Sequence, residues 1–282
     1  MTVTAQQFLP DTELLDASFR PAEAMHYGLA VVGGTTGLSM VLLDFRRNRI
    51  IGICGVSRPA THETGTPEDP AEAFTGALEA AVQSFPWMTN PFRLVKTAWA
   101  GWKSTLVPEA LFDRDAADRY LRFTHTVGSG ETILCRHLVP IGAWDVFAVP
   151  ESIPNLVAGR FPRSRLVNLS GLLVVSIWIN YKNRINAPHL FLHLRDGVAD
   201  VVLFDGRELG FVNAFRVANQ EETAYYLLFV MEQTGLNPEQ TPVVLLGDTG
   251  NREEVEELLR RYVRHLARGA RNPSYSYSYA LD

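Results

Sequence analysis

Three apolar runs separated by tight turns open the regular part of the chain. Gly28 to Val32 is followed by the turn Gly33-Gly34-Thr35-Thr36-Gly37, Leu38 to Leu43 by the polar stretch Asp44 to Arg49, and Ile50 to Cys54 closes the set. Short runs rich in Val, Ile and Leu, bounded by Gly and Asp, predict three consecutive strands. Residues 1–26 are mixed in character and predict a peripheral extension. A Pro-rich loop then leads into an alanine-rich helix over about Pro70 to Ser84, with Phe74, Leu78, Ala81, Val82 and Phe85 on one face. Phe92 to Trp99 reads as a buried strand.

Beyond it, Pro108 opens a helical turn at Glu109 to Leu111, and a second helix fits Asp115 to Phe123. Strand-like runs at Ile133 to Val139 and Trp144 to Val149 lead to Pro150. A short helix, a strand around Leu166 to Asn168 and an apolar helix from about Gly171 to Tyr181 complete this part. The strand triplet then returns as His189 to Leu194, Asp200 to Phe204 and Glu208 to Phe215, with turns at Arg195-Asp196-Gly197 and Asp205-Gly206. A helix from about Glu221 to Thr234 follows, with Asn219 and Glu222 spaced as an N-cap and its reciprocal acid. Val243 to Leu246 is another buried strand, ending in Gly247-Asp248-Thr249-Gly250. The last helix, started by Asn251 and Glu254, carries Val255, Leu258, Leu259, Tyr262, Val263 and Leu266 on one stripe.

The expected architecture is therefore α/β, a βββαβα-type unit occurring twice, with mixed sheets flanked by helices. The expected divisions are an N-terminal extension 1–26, a first half 27–186, a second half 187–270 and a tail 271–282. The duplication is one of pattern, with no residue-level repeat between the halves.

Composition narrows the function classes. The chain has 282 residues, 46% hydrophobic and 20% charged, with a net charge of -5, the makeup of a globular protein with sizeable cores. A disordered chain, a collagen-like repeat and a membrane bundle are excluded. The slight acidic excess gives no global reason to expect nucleic acid. The most apolar stretch, Leu169 to Asn180, is too short for a bilayer and is interrupted by Ser170 and Ser176, so no membrane insertion is expected. The opening residues show neither a basic nor an apolar leader pattern, and the expected location is the cytoplasm. Cys54 and Cys135 make no disulfide framework and have no metal-ligand spacing.

A duplicated βββαβα pattern is similar to the actin-like ATPase superfamily, which includes sugar kinases, heat-shock ATPases and pilus-assembly and cell-division proteins. Several phrases more specifically resemble a mainly Bacteroidetes family, a domain of unknown function with an actin-like ATPase (ribonuclease H-like) fold. These are TLVPEALFD at Thr105 to Asp113, YLRF at Tyr120 to Phe123, VFAVPE at Val146 to Glu151, and YYLLFVMEQTGLNPE at Tyr225 to Glu239, running on to Val243 to Gly247. The resemblance implies a fold without an activity.

In active relatives, the resemblance implies, nucleotide lies between the halves. Two hairpins hold its phosphates through an Asp-X-Gly stretch, and the acids hold magnesium or orient the attacking water. Here the first hairpin keeps Gly33, Gly34, Thr35 and Thr36, suited to a phosphate cradle. The position two before Gly34 is Val32, and two before Gly33 it is Val31, so the acid is missing in either register. In the second hairpin, the position two before Gly197 is Arg195. Asp196 lies one residue away, on the other face of a strand, and reads as a turn residue. Arg195 itself is a cation that a phosphate would accept. The third loop, Gly247-Asp248-Thr249, reads either as a tight turn feeding a helix N-terminus or as resembling the adenosine-side loop, with Asp248 in place of a second glycine.

Without these acids, no catalytic residue and no metal ligand is assigned, and Mg²⁺ is not expected. No cofactor is required, although passive ATP or ADP binding is compatible with the glycines. The seven histidines include His189 and His193 on one strand face, too far apart to chelate a metal. Asp44 and Asp205 read as hairpin turn residues. Trp99 and Trp102, flanking Gly101 and followed by Lys103, read either as core aromatics or as an exposed aromatic-basic patch. The alternating tail Ser274 to Tyr279 reads as an added edge strand or a mobile terminus. The expected function is a non-catalytic cytoplasmic adaptor or scaffold, working through a protein partner or self-association. The compact second half resembles that of pilus-assembly relatives, and the resemblance implies an adaptor that takes a short peptide from a partner. The alternative is an ATP-binding protein with weak ATPase or phosphotransferase activity, first to be tested at Asp196, Asp205 and Asp248.

Overall fold

A helix of thirteen residues, Leu169–Tyr181, stands between two sheets and is hydrophobic all round. In the computed structural model, which describes residues 8–58, 69–195, 197–247 and 251–269, this is α4, and it explains how the two halves are joined. One side, with Leu169 and Leu172, packs on Ala30, Val32, Val41 and Ala98 of the first half. The other, with Leu173, Val174 and Ile177, packs on Phe191, Val202, Phe204 and Val244 of the second. Each such buried side chain contributes about 2 kcal/mol. A helix buried on all sides needs no polar face, which is why its sequence shows no amphipathic period.

The first-half sheet has six strands in the order β1-β4-β3-β2-β5-β9. These are β1 (Leu9–Leu15), β2 (Tyr27–Gly33), β3 (Gly37–Asp44), β4 (Arg49–Ser57), β5 (Leu94–Trp99) and β9 (Leu166–Asn168). β1 to β4 run antiparallel to their neighbours, while β5 and β9 join in parallel. α1 (Pro70–Ser84) starts at Asp69, whose side chain accepts from the Ala71 N–H, and covers one face with Phe74, Ala77, Leu78 and Ala81. The second-half sheet has the order β12-β11-β10-β13-β14. It comprises β10 (Pro188–Arg195), β11 (Val198–Asp205), β12 (Glu208–Arg216), β13 (Val243–Gly247) and β14 (Leu266–Arg268). α5 (Gln220–Gln233) and α6 (Arg252–Leu259) close its outer face, α5 capped by Asn219, whose side chain accepts from the Glu222 N–H.

Between β5 and β9 the chain inserts a small sheet with the order β6-β8-β7, made of β6 (Ser104–Pro108), β7 (Glu131–Leu138) and β8 (Ala143–Pro150). α2 (Ala117–Thr124) packs Leu121 on one face of it, and α3 (Ser152–Arg160) returns the chain to the first half. The small sheet also reaches the second half. Leu106 and Ile141 join the cluster of Phe191, Val202, Phe204 and Leu209, and β6 lies against β12.

Both strand triplets, α1 and the apolar helix lie where the sequence pattern predicts them. Three elements do not. Leu9–Leu15 is an edge strand rather than irregular peripheral chain; most of it is exposed, so burial imposes no alternation there. Ser104–Pro108 is a strand that went unpredicted, being short and half-buried along most of its length. The last helix stops at Leu259, and Leu266 belongs to β14, which pairs in parallel with Val243 at the open edge of β13. The apparent stripe through Tyr262, Val263 and Leu266 merges a helix face with a strand. The tail from 270 onward lies outside the described residues.

Candidate functional site

Two hairpins, one from each half, face each other across the cleft beside α4. In the first, β2 and β3 pair in register from Tyr27 with Asp44 to Gly33 with Leu38, and the Gly34 N–H donates to the Gly37 carbonyl. Val32, buried with Ala98 and Leu169, faces the cleft. Val31 points to the opposite core under α1. An acid at either position would be placed in apolar surroundings.

The hairpin glycines have packing reasons of their own. A Cβ on Gly33 would lie 2.4 Å from the Phe74 ring, and one on Gly37 would lie 2.3 Å from the Val56 carbonyl oxygen. Phe74 cannot give way, since it is buried and packs edge-on against Trp99 at 5.9 Å between centroids. Gly33→Ala is therefore expected to lower stability by about 1–3 kcal/mol through overpacking. Urea unfolding checks this, and an unchanged midpoint would show that Phe74 moves aside freely.

The second hairpin is built around a buried carboxylate. β10 and β11 pair so that His193 lies opposite Asp200 and Arg195 opposite Val198. Asp200 is fully buried. Its Oδ2 accepts from Arg195 Nε at 2.9 Å and lies 3.0 Å from His193 Nδ1. Its Oδ1 accepts from Arg195 Nη2 at 3.0 Å and from the Ser170 hydroxyl at 2.8 Å. Burial alone would raise its pKa, but the Arg195 charge and the hydrogen bonds from His193 and Arg195 outweigh it, and the carboxyl is held well below the ordinary range. The same guanidinium crosses the cleft, where Nη1 donates to the Ala100 carbonyl and Nη2 to the Gly101 carbonyl at 3.1 Å. Arg195 thus clasps the second-half hairpin to the chain leaving β5.

The clasp divides the cleft into two cavities. The inner one, about 180 Å³, brings together Gly33, Gly34, Thr36, His193, Arg195 and Gly247. The outer one, about 650 Å³, holds Thr35, Thr36, Trp102, Arg195, Gly197 and Arg216. Gly33, Gly34, Thr35, Thr36, Arg195, Gly197 and Gly247 therefore all border this cleft, while Asp196, Asp248 and Thr249 lie outside the described residues. Gly247 has φ +79°, and a Cβ there would meet the Leu194 carbonyl oxygen at 2.1 Å, so β10–β13 pairing itself requires glycine. Among the described residues no group of three His, Cys, Asp or Glu side chains is placed to hold a metal ion.

Other singled-out residues separate. Trp99 is a buried core residue that also reaches the wall of the outer cavity, which Trp102 lines as well. Asp44 is a buried turn acid accepting from the Arg46 and Arg47 N–H groups and from the Arg47 side chain, and Asp205 is an exposed strand end. One residue escaped the sequence reading altogether. Asp145, at the centre of the small sheet and opposite Arg136, is fully buried against the first turn of α4, and a Cβ on Gly171 would lie 2.2 Å from its Oδ2. Burial pushes its pKa up to about 8, against smaller opposing effects of the Asn168 amide and the Arg136 charge. Asn168 stands close by, yet neither Asp145 oxygen nor Asn168 Nδ2 makes a hydrogen bond of ordinary geometry. The polar residue in the run Trp144 to Val149 was the available signal, since an acid flanked by apolar strand residues in a central strand must be buried.

The fold has solved counterparts. The chain is similar to a Bacteroides thetaiotaomicron VPI-5482 protein with an actin-like ATPase fold and unknown function, at 18% identity and TM-score 0.79, covering 94% of this chain and 100% of the other. A structure of a PilM–PilN type IV pilus biogenesis complex matches at 13% identity and TM-score 0.56, covering 90% and 96%. The ethanolamine utilization protein EutJ from Carboxydothermus hydrogenoformans matches at 13% identity and TM-score 0.50, covering 90% and 89%. These likenesses establish an actin-like ATPase fold. No curated protein matches the chain in sequence. A family model does match over residues 16–266, and the chain belongs to that family, described as "Protein of unknown function (DUF3822)".

Proposed function

We propose that this protein is a non-catalytic adaptor or scaffold, cytoplasmic and free of nucleic acid, whose actin-like nucleotide site is degenerate. The observation that carries this reading is the Arg195 clasp. Where the second hairpin of an active relative would offer an acid, a guanidinium is bound to Asp200 and to the Ala100 and Gly101 carbonyls. Its charge is already matched by Asp200, which weakens the earlier reading of Arg195 as a cation for phosphate. The small sheet, inserted in the first half and packed on the second through Leu106 and Ile141, adds a further attachment between them. A protein partner fits the likeness to a PilM–PilN complex, and among the described residues no helix is long and apolar enough to cross a membrane.

A second reading, ATP binding with weak ATPase or phosphotransferase activity, has one observation in its favour. The inner cavity gathers the first-hairpin glycines, Thr36, His193 and Gly247 at one place. Isothermal titration with ATP and ADP, with and without Mg²⁺, beside a phosphate-release assay, separates the two. The adaptor reading expects no Mg²⁺-dependent binding and no turnover above background. Micromolar, Mg²⁺-dependent binding with turnover would overturn it and direct attention to Asp196, Asp205 and Asp248.

A further inference from the structure

The outer cavity has features that neither the clasp nor a partner accounts for. Trp102 forms part of its wall, held edge-on by His125 at 5.2 Å between centroids, while His125 Nε2 is fixed 3.0 Å from the Ser104 carbonyl. Two cations lie against the same indole, Lys103 Nζ and the Arg216 guanidinium carbon, each 5.9 Å from the ring centroid. Arg216 comes from the end of β12 in the second half, opposite Val198. The cavity is therefore assembled from both halves.

Among the described residues its charges do not balance. Arg195 is matched by Asp200, and Lys103 by Glu131 at 2.6 Å, whose Oε2 also accepts from the Gly128 N–H. Arg216 is exposed and, among the described residues, has no carboxylate partner. One unmatched guanidinium beside an indole, with Ala148, Pro150 and Val198 as apolar wall and the Thr35 and Thr36 hydroxyls across, is a small-molecule environment. A volume of about 650 Å³ lies within the range of such sites. Arg presents a planar fork that suits a carboxylate, and the indole face suits a flat apolar body.

We infer that this cavity binds a small monoanion with a flat, apolar body, of the aromatic carboxylate class, its carboxylate on Arg216 and its ring against Trp102. A dianion is disfavoured because, among the described residues, a single cation is unmatched and the Glu131 carboxylate lines the same wall. The inference does not rest on the adaptor reading. A partner can dock whether or not this cavity is filled.

The test uses the full chain with benzoate, benzamide and phenyl phosphate as probes, followed by ligand-observed NMR and calorimetry. Benzoate is a fragment, so a dissociation constant of about millimolar is expected. Benzamide, equal in shape and uncharged, should bind at least about tenfold more weakly, as should benzoate to Arg216→Gln. Trp102→Leu should weaken benzoate and benzamide alike. Arg207→Gln, an exposed arginine in the β11–β12 turn, should change nothing. Arg216 is exposed, so its variant should melt with the parent, which separates lost binding from lost fold. Equal binding of benzoate and benzamide, full benzoate binding by Arg216→Gln, or no benzoate binding at all would overturn the inference. So would tighter binding of phenyl phosphate than of benzoate. None of these results bears on partner binding, so this inference and the adaptor reading fail separately.

Discussion

Asp200→Ala lowers the free energy of unfolding by about 3–5 kcal/mol, the usual result of removing one member of a buried ionic group. The substitution leaves the largely buried Arg195, the buried His193 and the Ser170 hydroxyl facing a void, three groups whose polar contacts converge on one carboxylate. Urea unfolding at neutral pH measures it. A companion double variant, Arg195→Met with Asp200→Leu, should cost less than Asp200→Ala alone, because no charge is then left without its partner. A loss below about 1 kcal/mol for Asp200→Ala would mean that the clasp is incidental to stability. The pH dependence has a definite sign. Asp200 has a folded pKa below its unfolded one, so its contribution is present above the ordinary carboxylate range and disappears as pH falls through and below it. The parent and Asp200→Asn should therefore converge in stability under strong acid.

Asp145→Asn gives the opposite result, a gain that grows with pH. The folded pKa, raised to about 8 from an ordinary 3.8, means that the fold favours the protonated acid. Asp145 costs nothing in this respect below about pH 4, costs progressively more as pH rises towards 8, and levels off above it. Its surroundings explain the direction: Arg136 across the strand is itself partly desolvated, Asn168 is close but not in hydrogen-bond geometry, and Gly171 brings the α4 backbone near. Asparagine keeps the shape and removes the ionisation. The variant should match the parent near pH 3.5, already exceed it slightly near pH 5, and exceed it by a few kcal/mol near pH 8.5 in urea midpoint experiments. Parallel stability profiles across that interval would show that Asp145 titrates normally.

How far the sequence disclosed this molecule depended on burial. Strands buried on both faces, such as Val198–Asp205, announce themselves as apolar runs, and α4 does so by having no polar side. Leu9–Leu15 does not, because an exposed edge strand needs no pattern. In the site, glycine positions were legible but their cause was ambiguous. Gly33 and Gly37 invite a phosphate reading, yet Phe74 and the Val56 carbonyl already require them. Arg195 stood out only as the wrong residue for an acid. Its partner was within reach, since a tight turn through Gly197 pairs His193 with Asp200 by counting outward along the hairpin. The Ala100 and Gly101 carbonyls, more than ninety residues away, were not. The direct, short-range half of the clasp was readable, and the half that crosses the cleft needed three dimensions.

The three connections between the halves also have a mechanical consequence. Two bodies joined by one helix alone would keep a rotation about it. Here α4 is accompanied by the Arg195 strap on one flank and by the small sheet, seated through Leu106 and Ile141, on another. Each added attachment removes freedom from that joint. On the adaptor reading proposed above, a frame braced in this way would offer its surroundings a single outline rather than a pair of alternating ones.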